Sequence, residues 1–267
     1  MTQSAERLAQ TKTVETPVRY EQPLTERMRT FLRLEYLYQQ LIFHVERESE
    51  WASRAAVASL LDIIAVLSRG DVRSDVIKEL ERQIDVFDRY QNVPDIDESR
   101  LGGVLRNLQV LRKDIAAVGP GYLMMVRENE FLNSIKHRSA IPGGTCEFDL
   151  PDYSHWLRRP YEERLKDLCH WMKNLRPLCD SIAELLWLLR RSGQNQIKTA
   201  ENGVFHHSIE KNSTTGLLRV SLVTGTPLFP EISGGHHRIS VRFMEWSDVE
   251  MRAVQTNHDV KFELIIC

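Results

Sequence analysis

The chain has 267 residues, enough for one large domain or two modest ones, and its 42% apolar and 27% charged residues are typical of a globular protein. Its 35 Lys and Arg residues nearly balance its 37 Asp and Glu residues, so the formal net charge is −2. This balance provides no global field that would attract nucleic acid or an anionic membrane surface, and any electrostatic recognition must come from local clusters.

The N-terminal residues 1–19 are polar and lack the apolar core of a secretion signal. Their Thr, Gln and Glu content predicts a disordered leader. Nowhere does the sequence approach the roughly 18 consecutive apolar residues that a membrane span requires. We therefore expect a cytoplasmic protein without membrane contact, whose four widely spaced cysteines are free thiols.

Residues 20–193 show helical periodicity and are predicted to form a helical domain. Pro23 is expected at the first helical position, where its missing N–H costs nothing. The helix that follows has apolar stripes on two sides, so it needs two neighbours, or one neighbour and a partner subunit. Gly70 is predicted to end the second helix in the left-handed conformation, and Asp71 and Asp97 to cap the next two. Short connections between long amphipathic helices predict an antiparallel bundle.

The sequence changes character in residues 194–267. Segments there alternate apolar and polar residues or are β-branched, and clusters of Asn, Gly, Ser, Thr and Pro separate them, which predicts a small antiparallel sheet. A short extended segment is also predicted near residues 145–150. Helices followed by strands indicate the α+β class, with an N-terminal all-α helical bundle and a small C-terminal antiparallel β domain.

No linear enzyme motif occurs: the sequence has no phosphate-binding loop, dinucleotide fingerprint, HExxH or nucleophile elbow. The pairs His206-His207 and His236-His237 could each direct one metal ligand to a strand face, although surface or loop histidines are the favoured interpretation. We therefore predict no cofactor, no metal and no small-molecule substrate. Two alternatives stay open: an enzyme with His and Glu in a β-domain pocket, and a nucleic-acid-binding protein that uses arginine clusters.

Clustered arginines are the candidate binding residues. In chain order they are Arg27, Arg29, Arg33, Arg69, Arg73, Arg238 and Arg242. Arg69 and Arg73 flank a predicted helix junction, where the preceding carbonyl groups favour cations. Arg238 and Arg242 share one face of a predicted strand, and no acidic residue interrupts them on it. Because a guanidinium binds a carboxylate in a bidentate manner, this face suits a carboxylate-bearing peptide.

Several long segments resemble the ZapD family, in this order along the chain: YEQPLTERMRTFLRLE, RGDVRSDVIKELERQ, IPGGTCEFDLP with Trp156-Leu157 following, LFPEISGGHHRISVRFM and the final FELIIC. The resemblance spans about Tyr20 to Cys267. It implies a helical domain joined to a β domain, a homodimeric assembly, and a cell division function without catalysis.

The resemblance also implies a partner. ZapD-like proteins bind the short C-terminal tail of FtsZ, the tubulin-like GTPase of the division ring, and bundle its protofilaments at mid-cell. Their tail-binding surface is a basic pocket between the two domains, and the matching positions here are Arg69, Arg238 and Arg242. Arg33 matches a further arginine linked to bundling, and Arg73 joins these candidates from the cluster at the helix junction.

Overall fold

The computed structural model describes residues 17–267 apart from residues 92, 95, 210–214, 235–237 and 249. The chain divides into two compact units: a helical unit, Arg29–Leu188, and a β unit whose described residues come from residues 17–28 and from Leu189–Cys267. The predicted α+β class, with an N-terminal helical region followed by antiparallel strands, is confirmed. Most of the predicted leader lies outside the described residues.

The described residues contain nine helices. They are α1 Glu26–Val45, α2 Glu50–Leu67, α3 Val72–Tyr90, α4 Glu98–Val118, α5 Met124–Arg127, α6 Glu130–Ser139, α7 Pro151–Leu157, α8 Tyr161–Met172 and α9 Arg176–Ser192. Asp71 and Asp97 cap α3 and α4 as predicted, because their side chains accept the N–H groups of Ser74 and Arg100 at 3.1 and 3.0 Å. None of the described helices is long and apolar enough to cross a membrane.

The described residues also contain eight strands. They are β1 Val18–Pro23, β2 Gln196–Ala200, β3 Val204–Ser208, β4 Leu217–Leu222, β5 Leu228–Gly234, β6 Arg238–Glu245, β7 Val254–Gln255 and β8 Val260–Ile266. They form two antiparallel sheets of order β1-β4-β8-β2 and β3-β6-β5, and β7 also pairs with β6. The core between the sheets is made of side chains from β4, β6 and β8, among them Val220, Phe243 and Phe262.

Strand β1 corrects the predicted start of the helical domain. Val18 pairs with Leu222 and Pro23 pairs with Leu217, so residues assigned to the leader and to the first helix lie in a sheet. Helix α1 begins at Glu26, and Thr25 caps it by accepting the Met28 N–H at 3.2 Å. Pro23 is tolerated because β1 lies at the edge of its sheet, where a strand can lack a donor.

Two local predictions in the helical unit are wrong. Gly70 does not adopt a positive φ, because α2 has already ended at Leu67 and the Ser68 N–H bonds the Ile64 carbonyl at 3.0 Å. Residues 145–149 form turns and bends instead of an extended segment. A turn-type bond from the Leu150 N–H to the Cys146 carbonyl at 3.0 Å stabilises them.

Candidate partner-binding surfaces

The two faces of β6 differ in the way that the sequence predicts. Ile239, Val241 and Phe243 are fully buried and point into the core, while Arg238 and Arg242 are exposed on the other face. We call this second face, with its neighbours on β3 and β5, the outer sheet face. The pairing registers assign it ten side chains: Val204, His206, Ser208, Phe229, Glu231, Ser233, Arg238, Ser240, Arg242 and Met244.

The register places small and polar groups around the two arginines. Ser208 lies opposite Arg238, and His206 lies opposite Ser240, between the two arginines. Residues four positions apart on a strand are separated by about 13 Å along it. The arginines can therefore contact two different carboxylates of one extended segment. Arg238 has no ion-pair partner among the described residues.

Glu231 on the neighbouring strand changes the prediction for Arg242. It lies directly opposite Arg242, and its Oε2 is 3.1 Å from Arg242 Nη2. No acidic residue therefore interrupts the arginines along β6 itself, but Glu231 of β5 does so across the sheet. Both side chains are about half exposed, so the pair contributes at most about 1 kcal/mol and can exchange with a ligand carboxylate.

An apolar pair borders the arginines on the same face. Phe229 and Met244 are directly opposite each other on β5 and β6, and both are half-buried. Met244 follows Arg242 by two residues on β6, so the alternation along that strand places it on the same face, whereas the place of Phe229 follows from the pairing of β5 with β6, which the sequence does not reveal. The outer sheet face thus offers cations and an apolar contact within one surface, which suits a peptide carrying both carboxylates and apolar side chains.

The helical unit carries the other predicted residues. Arg69 is exposed in the connection between α2 and α3. Arg73, in the first turn of α3, is half-buried, and its Nη2 donates to the Ile115 carbonyl of α4 at 3.2 Å. Its guanidinium is thus committed in part to holding α3 against α4, and Arg69 is the freer cation of this junction.

Arg33 lies on a different element of the helical unit. It is exposed on α1, and the exposed Tyr36 follows one turn further along the helix. Arg33 has no ion-pair partner within the described part of the chain. The structure therefore brings Arg69 and Arg73 together at one junction and Arg238 and Arg242 together on one face, and it places Arg33 on a separate helix.

The histidine pairs give no metal centre among the described residues. His206 is exposed on the outer sheet face, whereas His207 faces the other way and stacks on Phe205 with ring centroids 6.3 Å apart. The second pair, His236-His237, lies outside the described residues. No group of three His, Cys, Asp or Glu side chains in the described ranges could hold a metal ion.

Comparison with known proteins assigns the chain to the class of cell division proteins. The family model named ZapD, described as a cell division protein, matches residues 32–242. Cell division protein ZapD of Methylococcus capsulatus is 40% identical over 248 residues, which cover 93% of this chain and 97% of that protein. Those of Dechloromonas aromatica and Chromobacterium violaceum are 37% and 36% identical over 250 residues, covering 94% of this chain and 99% of each relative. The chain belongs to the ZapD family, as the sequence segments indicate.

Proposed function

We propose that this protein binds the C-terminal tail of FtsZ and cross-links FtsZ protofilaments as a homodimer, and so promotes assembly of the division ring. Membership of the ZapD family supports a role in cell division. The outer sheet face is the observation that carries the finer proposal, because two exposed arginines lie there beside an apolar pair. We place this activity in the cytoplasm at mid-cell, and it requires no catalysis and no cofactor.

Recognition on the outer sheet face combines charge and apolar contact. Arg238 binds a tail carboxylate directly, since none of the described residues pairs with it. Arg242 binds a second tail carboxylate, which displaces Glu231. The displacement costs little free energy because the pair between Arg242 and Glu231 is exposed. Phe229 and Met244 cover an apolar tail residue.

The helical unit contributes a second set of cations to the proposal. Arg69 is exposed and takes part in binding the tail, while Arg73 chiefly holds the α3–α4 junction that positions it. Arg33, on α1, supports bundling through a separate filament contact. A charge reversal at Arg69 or at Arg33 should weaken filament association without disturbing the core, because both side chains are exposed.

Cross-linking follows from the number of tails that one assembly can hold. A homodimer offers two tail-binding surfaces, and a filament presents many tails in a row. Binding of the first tail raises the effective concentration of the next, so weak single-site affinity becomes strong filament association. Contacts between exposed charges are screened by salt, so both affinity and bundling fall as ionic strength rises.

Fluorescence anisotropy of a labelled FtsZ C-terminal peptide tests the site. The wild-type protein should bind it saturably and more weakly at high salt. Arg238→Glu should lower the affinity at least about tenfold, because it replaces an attraction by a repulsion. Arg19→Glu is the matched control, since Arg19 is exposed on β1 in the other sheet. Equal affinities of the wild type and Arg238→Glu would contradict the assignment.

A further inference from the structure

A groove of about 560 Å³ lies in the helical unit between the C-terminal part of α1 and helix α8. Its apolar lining comes from Ile42 and Val45 on one side and Met172 on the other. Val45 and Met172 are buried. The Tyr161 hydroxyl donates to the Val45 carbonyl at 2.8 Å and so ties the start of α8 to the end of α1. The groove therefore lies between two helices that this hydrogen bond joins, and both sides contribute apolar side chains.

Basic side chains follow one another along the α8 wall. Lys166, His170 and Lys173 are spaced four and three residues apart, which puts them on one side of the helix, and all three are exposed. Arg176 continues the series at the start of α9 and also lines the groove. Lys166 and Lys173 are about 10 Å apart along the helix axis. Neither lysine has an ion-pair partner among the described residues.

The acidic lining does not balance the charges of Lys166, Lys173 and Arg176. Glu46 and Asp167 are the two carboxylates of the groove. Asp167 already accepts hydrogen bonds from Trp156 Nε1 at 2.9 Å and from Arg159 Nη1 at 3.1 Å, and Arg159 is shared with Glu163, so Asp167 is committed in part to contacts outside the groove. The lining therefore carries three cations and two carboxylates. Arg176 also interacts with Tyr38 and Asp180, so Lys166 and Lys173 are the cations that a ligand can use.

We propose that this groove is a second binding site, distinct from the outer sheet face, for an acidic peptide segment that carries an apolar side chain. The lysines are spread along the groove and not grouped at one point, which favours an extended peptide with several carboxylates over a single small anion. The apolar lining takes the apolar side chain of the peptide, and the lysines take its carboxylates. The proposal does not depend on the identity of the partner at the outer sheet face.

The test uses a fluorescein-labelled synthetic peptide with two glutamates on each side of a Leu-Leu pair. Binding is measured by anisotropy on the full-length protein carrying Arg238→Glu and Arg242→Glu, so that neither arginine of the outer sheet face contributes. Adding Lys166→Glu with Lys173→Glu should lower the affinity at least about tenfold. Lys113→Glu with Lys136→Glu makes the same charge change at exposed lysines on α4 and α6 and should leave it unchanged. An equal loss of affinity in the two double variants would overturn the proposal.

Cys169 provides a readout at the groove itself. It is exposed and lines the groove, whereas Cys146 is half-buried in the turn before α7 and serves as the internal reference. Saturating peptide should slow alkylation of Cys169 at least about threefold, because the bound segment covers the thiol, and should leave Cys146 unchanged. A peptide with Gln in place of Glu should neither bind nor protect. Absence of binding by the acidic peptide, or binding that leaves Cys169 fully reactive, would refute the groove as its site.

Discussion

At the scale of single residues, the exposed pair between Glu231 and Arg242 limits how readily Arg242 can bind the carboxylate of a ligand. The cross-strand register holds the two side chains opposite each other, and their charged atoms are 3.1 Å apart. Such a pair contributes little to stability, but it is an internal competitor for any ligand that needs Arg242. It also keeps the face from presenting two unpaired arginines to unrelated anions, which favours selectivity over affinity.

Removal of this competitor should strengthen binding. We expect Glu231→Gln to raise the affinity for the FtsZ tail peptide up to about fivefold, because the variant no longer competes for the Arg242 guanidinium. Anisotropy titrations at low salt measure the change. Glu263→Gln, on β8 in the other sheet, makes the same charge change and should have no effect. A decrease in affinity with Glu231→Gln would mean that Glu231 orients Arg242 for binding instead of competing for it.

The cysteines should differ in reactivity because burial disfavours a thiolate. Burial raises the pKa of Cys179 to about 12 and that of Cys267 to about 11. A raised pKa lowers the thiolate fraction at pH 8, so the native protein should react with iodoacetamide first at the exposed Cys169. Mass spectrometry of tryptic peptides measures the order of modification. Early modification of Cys179 would show that α9 opens readily in the native protein.

At the scale of elements, an ionic cluster around the buried Arg219 connects β1 to its neighbours. Glu21 of β1 contacts Arg190 at the end of α9 at 2.7 Å and Arg219 of β4 at 3.0 Å. Arg219 is buried, and its Nη1 also donates to the Arg190 carbonyl at 2.8 Å. One carboxylate therefore serves two cations and connects three elements of the β unit.

Glu21→Ala should destabilise the β unit by about 3 kcal/mol, because it leaves the charge of the buried Arg219 without its carboxylate partner. Urea denaturation combined with native-state hydrogen exchange of the β4 amides measures the loss. Glu263→Ala, a substitution on β8 outside this cluster, should cost less than about 1 kcal/mol. Unchanged protection of β4 in Glu21→Ala would show that packing alone retains β1.

Local patterns predicted some elements and missed others for identifiable reasons. The alternation of β6 is a local property of the sequence, so its buried and exposed faces were predicted correctly. Strand β1 was missed although Val18, Tyr20 and Gln22 share one face, because its partner β4 lies about two hundred residues later in the chain. The segment near residues 145–150 has strand-like residues, but turn hydrogen bonds determine its structure.

The candidate site was predictable only along β6. Arg238, Arg242 and Met244 follow from the period of two along this single strand. Glu231 and Phe229 enter the site through the register between β5 and β6, and a shift of one residue would turn them to the other face. That register is fixed by the buried side chains on the opposite face of the same strands, and no single segment of sequence specifies it.

At the scale of the whole molecule, the proposal is that weak contacts become strong by repetition. Each outer sheet face offers two arginines and one apolar pair, a small surface that gives modest affinity for a single tail. A homodimer bound to two neighbouring filaments multiplies that affinity through effective concentration. Bundling should therefore depend more steeply on salt than binding of the isolated peptide does.

Sedimentation of FtsZ filaments with this protein tests the central proposal most directly. The wild-type protein should pellet bundles of full-length FtsZ but not of FtsZ that lacks its C-terminal tail. Arg242→Glu, with its native circular dichroism spectrum retained, should pellet neither, while Arg19→Glu on the other sheet should behave as wild type. Equal bundling of tail-less filaments, or normal bundling by Arg242→Glu, would contradict tail recognition at the outer sheet face.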